Sequence, residues 1–458
     1  MNATLLDAYN LFHEGQLVLA KMERRGIHVD VEYCRRKLEE VSAEMERLQR
    51  EFEATKLHRY WSHVFGNKMN INSSYQLSYI LYDKLKIQPV RLTAAGKGSV
   101  DEDSLSQLDV PGLDKLIECR KLTKVKSTYL EAFIAENVDG YLHPAFLLNT
   151  VRTYRSSCVS PNFQNIPKRD KRLMEICRRA IIPRPGRTLV EADFSSLEVR
   201  IAACYCKDPV LINYLTSESG DMHLDTAREL FFLDDKADKS DPRIARLRQA
   251  AKNGFVFPQF YGDYYVNCTR NLCDWVELEV GAERWSSGSG AEIFPGVPIA
   301  KHLAVHKIRG YRDFEEHVRK VEHDFWNKRF QVYNRWRKHQ VERYARTGKL
   351  RMKTGFECSG VMQNNEVINY PIQGSAFHCL LKTLIELDRF IEREGLSSFP
   401  IAQIHDSIVI DAVPEEVESI KDFLTDYVRN RLPKEWDWII VPLDIEVTVF
   451  GVDKPWLE

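Results

Sequence analysis

Residues 189–203 read LVEADFSSLEVRIAA, an apolar run that ends at an aspartate and passes into helical spacing. This stretch predicts a strand that ends at Asp193, a turn, and a helix that begins near Glu198. An aspartate in this position often only caps the helix that follows. Asp193 therefore has an ordinary explanation as well as a functional one.

A second aspartate occupies a comparable position 213 residues later. Residues 403–411, QIHDSIVID, predict a hairpin with Asp406 at its tip and apolar strands on both sides. Two carboxylates at neighbouring strand ends can hold a pair of Mg²⁺ ions for phosphoryl transfer. Asp193 and Asp406 are therefore candidate metal ligands, although a tight turn would also explain Asp406.

Cationic and polar side chains between the two aspartates suit a nucleotide. Arg248 and Lys252 are one helical turn apart, so both cations face the same way, and aromatic residues follow them. Such a helix suits a triphosphate and a stacked base, and a half-buried amphipathic helix is the plainer alternative. His223 could equally be a core histidine, and the amides of Asn369 and Gln373 could project side by side from a helix or lie next to a polar loop.

The composition of the 458-residue chain is that of a soluble globular protein with two or three lobes. Lys and Arg (65) nearly balance Asp and Glu (66), so net charge does not indicate nucleic acid. Residues 326–353, however, hold ten basic residues and one acid, interleaved with aromatic residues. The ten cysteines include no CxxC pair, which favours free thiols over a zinc site. Neither a targeting signal nor a membrane span is predicted, which favours the cytoplasm of a bacterial or phage-infected cell.

Apolar spacing and turn residues predict the element order. Asp30 is the expected N-cap of the first helix. We predict helices over 30–56, 113–137, 197–265 and 369–394, strands over 141–193, and irregular chain over 266–315 with an exposed loop at 285–290.

The order of these motifs resembles family A DNA polymerases, the bacterial polymerase I and related phage enzymes. The main matches are LVEADFSSLEVRIAA (189–203), RQAAKNGFVFPQFYG (248–262) and QIHDSIVID (403–411), with RSSCVSPNFQNIP (155–167), NYPIQGSA (369–376) and the helical arm over 23–77 in support. The resemblance implies an α+β right-hand fold with a helical thumb, an antiparallel-sheet palm and helical fingers. The implied boundaries are a lead-in at 1–27, thumb at 28–138, first palm part at 139–212, fingers at 213–338 with an insertion around 275–306, and second palm part at 339–458.

The resemblance also implies a role for each candidate residue. Asp193, Asp406 and the Phe194 carbonyl would bind two Mg²⁺ ions, for which Mn²⁺ could substitute, and Lys252 would protonate the departing pyrophosphate. The implied dNTP-binding residues are His223, Arg248, Lys252, Phe257, Tyr261 and Glu198, the last as a gate against the ribose 2′-hydroxyl. The implied DNA-binding residues are Arg155, Asn369, Gln373, His405 and Tyr261.

Three departures from the family pattern stand out. Ser407 follows Asp406 where the family has glutamate. Nine residues separate Lys252 from Tyr261 where the family has eight, and we predict that a bulge near Pro258 absorbs the extra residue and leaves Phe257, rather than Val256, against the incoming sugar. The insertion has no counterpart in the pattern.

The expected function is template-directed DNA synthesis from a primer, with dNTPs as substrates and without proofreading in this chain. A single-subunit RNA polymerase and a catalytically inert DNA-binding subunit are the alternatives. Primer–template DNA is the expected partner, and separate exonuclease, helicase or processivity proteins are further candidates.

Overall fold

The computed structural model describes residues 3–90, 92–93, 96–167, 170–217 and 220–457. Helices surround one four-stranded antiparallel sheet, so the predicted α+β class is confirmed. Parts of the predicted thumb, palm and fingers at 91, 94–95, 168–169 and 218–219 lie outside the described residues. The domain boundaries stay predictions.

The chain before residue 188 is mainly helical. In chain order its elements are α1 (Leu5–Arg25), β1 (Ile27–His28), α2 (Val31–Glu53), α3 (Lys56–Phe65), α4 (Ser74–Ser78), α5 (Glu102–Leu105), α6 (Leu113–Lys124), α7 (Glu131–Glu136), β2 (Tyr141–Leu142), β3 (Ala145–Leu147), β4 (Ser157–Val159) and α8 (Lys171–Arg178). Asp30 caps α2 by accepting a hydrogen bond from the Tyr33 amide at 2.8 Å, which confirms the predicted N-cap. A π-helical turn joins α6 to α7 and confirms the helix predicted over 113–137.

The remaining elements alternate between the sheet and long helical segments. They are β5 (Thr188–Phe194), α9 (Leu197–Cys206), α10 (Pro209–Thr216), α11 (Met222–Phe231), α12 (Pro242–Ala251), α13 (Phe257–Phe260), α14 (Tyr265–Trp275), β6 (Glu292–Phe294), β7 (Val297–Pro298), α15 (Ile299–Val305), α16 (Tyr311–Asp324), α17 (Gln331–Thr347), β8 (Lys349–Arg351), β9 (Glu357–Ser359), α18 (Asn364–Arg393), β10 (Phe399–Ile404), β11 (Ser407–Ala412), α19 (Val417–Asp426), α20 (Leu432–Glu435) and β12 (Ile445–Val449).

The central sheet has the strand order β10-β11-β5-β12, and every neighbouring pair is antiparallel. β5 lies inside the sheet, with β11 on one side and β12 on the other. Ser407 of β11 and Glu446 of β12 are the two register partners of Asp193. Because β11 begins right after the hairpin tip, this register brings Asp406 next to the end of β5.

The 30-residue helix α18 forms the core behind the sheet, where it contacts β10, β11 and α1. A Cβ on Gly15 of α1 would lie 2.8 Å from a methyl carbon of Leu381, so a larger residue at this position would require the Leu381 side chain to shift. Lys21 of α1 donates a hydrogen bond to the buried Asp388 at 2.5 Å. The predicted lead-in is therefore a packed helix rather than a short connection.

A second apolar core is formed by the end of α2, by α3, α4 and α5, and by the start of α6. Phe52, Trp61, Leu77, Leu105 and Leu116 are buried in it, separate from the large core of the sheet and its helices. Two cores agree with the lobes that the chain length predicts.

Two regional predictions are wrong. Residues 266–315 are not irregular, because α14, the β6–β7 pair, α15 and the start of α16 lie there. Trp285 is buried rather than exposed: its ring nitrogen donates to the Glu279 carbonyl at 2.9 Å and its ring contacts Phe314. Residues 141–193 hold short strands, long loops and the helix α8 rather than mostly strands. In both regions, glycine, serine and proline make the sequence resemble loop, although tertiary packing stabilises helices and strands there.

The ten cysteines are all buried free thiols, in agreement with the sequence prediction. Over the described ranges, no helix combines the length and apolar character that crossing a membrane requires.

Candidate active site

Asp193 and Asp406 lie at the same end of the sheet. The Phe194 amide donates a hydrogen bond to the Asp406 carbonyl at 3.0 Å, which ties the end of β5 to the hairpin tip. Helix α9 has Ser196 at its N-cap, in the left-handed conformation and without a side-chain capping bond. Asp193 therefore does not cap this helix, and its exposed side chain lies at the strand end.

The hairpin tip is held from behind by a buried network of side chains. His405 and Asp406 form a two-residue turn between paired Ile404 and Ser407, and His405 has a positive φ of 53°. The Gln403 amide donates to the His405 carbonyl at 2.6 Å. Behind it, the Gln403 amide oxygen accepts hydrogen bonds from the Ser156 hydroxyl at 2.6 Å and the Gln164 amide at 2.8 Å.

Ser407 is not a substitute for a carboxylate ligand. Its side chain is buried, and its hydroxyl donates to the Ile404 carbonyl at 3.0 Å, within the hairpin. Glu446, the other register partner of Asp193, is exposed on β12. Within the part of the chain that the structure describes, no group of three or more His, Cys, Asp or Glu side chains is spaced to hold a metal ion.

The donor chemistry of the pair nevertheless fits Mg²⁺. This ion prefers oxygen ligands and is usually bound through one or two carboxylates together with substrate phosphates and water. Asp193 and Asp406 supply two carboxylates on rigid strand ends, and the Phe194 carbonyl is the adjacent backbone oxygen. A site of this kind depends on substrate oxygens to complete the coordination.

The helix with the predicted triphosphate ligands is interrupted by a π-helical turn at Lys252–Val256, between α12 and α13. A π-helical turn accommodates one additional residue, so the predicted bulge is present, immediately before Pro258. The Lys252 ammonium lies 5.3 Å from the centroid of the Phe257 ring, and the His223 ring lies 5.7 Å from it. Val256 is buried. Phe257 thus lies with the cationic residues, while Val256 lies in the core.

Asp221 connects two of the predicted triphosphate ligands. Its carboxylate accepts hydrogen bonds from Nε of Arg248 at 2.8 and 3.0 Å and caps α11, the helix that carries His223, through the Leu224 amide at 3.1 Å. Burial raises the pKa of the Asp221 carboxyl, but the hydrogen bonds from Arg248, the Leu224 amide and Lys239, together with the charge of Arg248, outweigh burial, so the net pKa is lowered. Since Nε is the bonded atom, the two terminal nitrogens of Arg248 stay available to a ligand.

His223 is neutral in this environment. Burial, followed by the charges of Arg248 and Lys252, lowers the pKa of its imidazole to about 4. Its Nδ1 atom is buried and has no hydrogen-bond partner among the described residues. A buried polar atom without a partner is costly in a folded protein and fits a site that a polar ligand completes.

Tyr261 and Glu198 join the cationic group to the aspartates. The Tyr261 hydroxyl donates to the Glu198 carboxylate at 2.6 Å, and Arg155 donates to the other Glu198 oxygen at 3.4 Å. Burial raises the pKa of the Tyr261 hydroxyl, and the charges of Glu198 and Asp406 raise it further. Tyr261 follows Phe257 by one helical turn, so it connects the cationic group with Glu198 and lies within reach of the charge of Asp406.

The predicted minor-groove residues lie next to Tyr261 and Asp406. The Asn369 amide donates to the Tyr261 carbonyl at 3.0 Å, and Gln373 lies one turn further along α18. His405 is exposed at the hairpin tip next to Asp406. Their roles toward DNA stay predictions.

Sequence reasoning missed the residues that support the site. Gln403, Ser156 and Gln164 lie inside motifs that were quoted above, but nothing in their spacing indicates that they bond to one another. Asp221 directly precedes Met222 and His223, and its position two residues before a candidate ligand was the one available indication.

The chain is similar to known DNA polymerases. The model for "DNA polymerase family A" matches residues 35–273 and 303–456, so most of the predicted insertion lies in the unmatched gap. A thermostable DNA polymerase I from Thermus filiformis is 30% identical over 449 residues, which cover 96% of this chain and 47% of that protein. DNA polymerase I from Bacillus subtilis is 28% identical over 467 residues, 99% of this chain and 46% of that protein. The chain thus spans about half the length of these relatives.

A solved structure has the same fold. The POL domain of Pol1 from M. smegmatis, in complex with DNA primer–template and dNTP, superposes with a TM-score of 0.71 at 21% identity and covers 97% of this chain and 69% of that one. The likeness confirms the expected right-hand fold. Whether the chain belongs to the phage-type members is not tested by these similarities.

Proposed function

This chain belongs to DNA polymerase family A, and we propose that it extends the 3′-hydroxyl of a DNA primer with dNTPs under the direction of a template. The observation that supports this most directly is that Asp193 and Asp406 meet at one end of the sheet, while Lys252 and His223 lie beside Phe257, with Arg248 on the same helix as Lys252. Tyr261 links the two groups because its hydroxyl bonds to Glu198 and its pKa responds to the charge of Asp406. A catalytically inert subunit would need neither the two aspartates nor the group of Arg248, Lys252 and His223.

We assign the metal-binding role to Asp193, Asp406 and the Phe194 carbonyl. Two Mg²⁺ ions bound there would neutralise charge on the attacking 3′-oxygen and on the departing pyrophosphate. The chain's own contribution is to fix both carboxylates on strand ends that a backbone hydrogen bond joins. Mn²⁺ is expected to substitute, since it takes the same oxygen ligands.

Arg248, Lys252 and His223 would bind the triphosphate. The terminal nitrogens of Arg248 can donate two parallel hydrogen bonds to phosphate oxygens. As the bond between the α-phosphorus and the bridging oxygen breaks, the Lys252 ammonium is placed to give its proton to pyrophosphate. His223, neutral before binding, can donate one ring N–H to a phosphate oxygen and so use a polar atom that is otherwise unpaired.

Sugar and base selection would fall to Glu198, Tyr261 and Phe257. Glu198 is held by Tyr261 and Arg155, so it can fill the space under the sugar where a 2′-hydroxyl would lie. Phe257 would pack on the incoming nucleotide and Tyr261 would stack at the templating position. Arg155, Asn369, Gln373 and His405 would contact minor-groove acceptors, which are alike in all correct base pairs and therefore report on geometry.

We further assign the thumb to residues 28–138, the fingers to 213–338 and the palm to the two segments 139–212 and 339–458. The separation of the palm into two segments follows from the sheet, since β5 precedes the fingers and β10, β11 and β12 follow them. That this chain lacks proofreading stays a prediction. It is checked by measuring whether the chain degrades a 3′-mismatched primer in the presence of Mg²⁺.

The test is primer extension by the double variant Asp193→Ala, Asp406→Ala. We expect a loss of about 10³-fold or more, worth roughly 4 kcal/mol of transition-state stabilisation, with primer–template binding retained. The matched control is Glu415→Ala, Asp422→Ala, which removes two exposed carboxylates of the same lobe and should extend primers normally. Full extension by the aspartate variant would refute the two-metal assignment.

A comparison of nucleotides separates DNA from RNA synthesis. The wild-type chain should use dNTPs far better than rNTPs, and Glu198→Ala should raise rNTP use because the space under the sugar opens. Tyr261→Phe keeps the ring and removes only the bond to Glu198. Efficient rNTP use by the wild type, or synthesis without a primer, would instead identify an RNA polymerase.

A further inference from the structure

Helix α17 has one face in the core and one face in solvent. Tyr333 is buried, the Trp336 ring lies 6.0 Å from that of Tyr205, and the Tyr344 hydroxyl donates to the Gly360 carbonyl. These residues recur at three- to eight-residue intervals, as one helix face requires. Of the aromatic residues interleaved with the basic run, Trp326, Phe330 and Tyr333 are buried, so they are packing residues and offer no surface for base stacking.

The opposite face carries four cations, which we call the α17 basic stripe: Arg335, Lys338, Arg343 and Arg346. All four are exposed, and they follow one another at helical spacing over about 16 Å, at 1.5 Å per residue. Within the described ranges, no carboxylate forms an ion pair with any of the four, whereas other exposed cations are paired, such as Arg47 with Glu51 and Arg319 with Glu316. Glu342 is the single acid on this face. The stripe is therefore a linear surface with a net positive charge, although Glu342 lies on it.

The C-terminal end of α17 is connected to the candidate active site through a series of contacts. Tyr344, between its last two cations, bonds to Gly360, which lies just before α18. At the start of α18, the Cβ of Asn365 lies 3.3 Å from the position that a Cβ on Gly262 would occupy. Asn369, one turn later, bonds to the Tyr261 carbonyl at 3.0 Å. A continuous set of contacts thus leads from Tyr261 to the C-terminal end of α17.

The chemistry of the stripe matches a chain of phosphates. Arginine and lysine without competing carboxylates bind phosphate oxygens and release the counterions condensed on nucleic acid. Among the described residues of α17, the Phe, Tyr and Trp rings are buried or half-buried, which favours contact of the stripe with the backbone rather than with bases. The polymer that reaches Tyr261 from outside the active site, in the function proposed above, is the template strand before it is copied.

We propose that the α17 basic stripe binds the single-stranded template 5′ of the templating base. This inference rests on the proposed function, because it takes Tyr261 as the templating position. It adds a DNA-binding surface outside the catalytic cleft, which guides the uncopied strand toward Tyr261.

The experiment measures binding without divalent cations or nucleotides, so it does not depend on catalysis. Two primer–templates with the same duplex are compared, one with a 5′ template overhang of two nucleotides and one with an overhang of fifteen. The stripe is removed by the fourfold variant Arg335→Gln, Lys338→Gln, Arg343→Gln, Arg346→Gln. The control makes the same charge change at exposed positions of another segment, with the substitutions Lys301→Gln, Lys307→Gln, Arg309→Gln, Arg312→Gln.

The wild type and the control should bind the long overhang at least tenfold more tightly than the short one. The stripe variant should lose this gain and still bind the short overhang normally. For the stripe variant on the long overhang, the slope of log K against log salt concentration should become shallower by up to about 2.8. Each phosphate contact to a single strand contributes about 0.7 to this slope, and the variant removes four cations. A variant with Lys in place of Arg335, Arg343 and Arg346 should retain the gain.

Three results would overturn the proposal: an unchanged gain in the stripe variant, an equal weakening on both substrates, or the same loss in the control. Extension on the two-nucleotide overhang tests the proposed function separately. Normal extension there with an unchanged overhang gain rejects the stripe alone, whereas failed extension by the wild type rejects the proposed function.

Discussion

The Phe194 amide and the Asp406 carbonyl share a 3.0 Å hydrogen bond between the end of one strand and the tip of a hairpin more than 200 residues later. Asp193 immediately precedes Phe194, so the backbones of both candidate metal ligands are fixed relative to each other. The carboxylates themselves are partly or fully exposed and can reach a ligand. Precise placement of the two carboxylates therefore depends on how rigidly the hairpin tip is held.

Gln403→Leu should loosen the hairpin tip. The substitution removes the bond to the His405 carbonyl and the amide oxygen that accepts from Gln164 and from the buried Ser156 hydroxyl. We expect a stability loss of roughly 1–3 kcal/mol, and a fall in kcat of about tenfold with little change in KM for dNTP, because the carboxylates and not the triphosphate ligands are displaced. Urea unfolding and steady-state primer extension measure the two effects.

Thr188→Val is the matched control for that substitution. Thr188 is buried at the other end of β5 and donates to the Phe450 carbonyl at 2.5 Å. Loss of this hydrogen bond should lower the free energy of unfolding by a comparable amount and leave kcat unchanged. An equal fall in kcat for both variants would mean that general destabilisation, rather than the hairpin tip, limits the reaction.

Asp221→Asn should weaken dNTP binding. Asparagine still caps α11 as well as aspartate does, but its neutral amide no longer fixes the Arg248 guanidinium as an ion pair. We expect KM for dNTP to rise about tenfold with kcat changed by less than about threefold, which corresponds to roughly 1.4 kcal/mol of lost binding.

The control for Asp221 lies on the helix that carries Arg248. Asp241 caps α12 and binds Arg243 through two hydrogen bonds, at 3.0 and 2.7 Å, yet Arg243 has no predicted role at the site. Asp241→Asn should leave both kinetic parameters at the wild-type level. A rise in KM that is the same in both variants, or a fall in kcat alone for Asp221→Asn, would contradict the positioning role.

The parts of the site that sequence predicted are those that short-range patterns specify. Asp193 and Asp406 follow apolar strands, and the spacing of Lys252 and Tyr261 already indicates a bulge before Pro258. The π-helical turn at Lys252–Val256 accounts for that spacing locally, within one helix. Patterns of this kind depend on residues that are near each other in the chain.

The parts that sequence missed depend on packing between distant segments. The Asp221–Arg248 pair forms because α11 packs against α12, and the Gln403–Ser156 bond joins residues that are 247 positions apart. Trp285 lies in a glycine- and serine-rich stretch that resembles an exposed loop, yet its ring packs on Phe314. Ser407 is similar, because only the structure reveals that its hydroxyl bonds to Ile404.

Stability should fall in mild acid because of buried neutral histidines. Burial lowers the pKa of His378 to about 3, and its ring nitrogens bond to the Thr354 hydroxyl at 2.6 Å and the Tyr154 carbonyl at 3.1 Å. The folded-state pKa lies below the unfolded value near 6.5, so the unfolded chain binds a proton first as pH falls. The stability contributed by the neutral ring is complete above about pH 6.5 and is lost progressively toward pH 3.

His378→Gln should flatten this dependence. Between pH 7 and 5.5, the wild type should lose about 1 kcal/mol more in the free energy of unfolding than the variant, as measured by urea titration at each pH. His223 titrates in the same direction, so a smaller slope remains. His13→Gln, at an exposed position, should retain the full wild-type slope; a steeper slope in His378→Gln would show that the buried ring is already charged.

Paired alanine substitutions test which residue meets the incoming nucleotide. Phe257 is half-buried, and its ring lies beside Lys252 and His223, whereas Val256 is buried in the core. Phe257→Ala should raise KM for dNTP about tenfold, since a nucleotide that packs on an aromatic ring loses roughly 1–3 kcal/mol when the ring is removed. Val256→Ala should instead lower the free energy of unfolding by roughly 1–3 kcal/mol through a cavity and leave KM unchanged. Steady-state kinetics and urea unfolding of both variants separate the two effects, and the opposite assignment of KM and stability would place Val256 against the nucleotide.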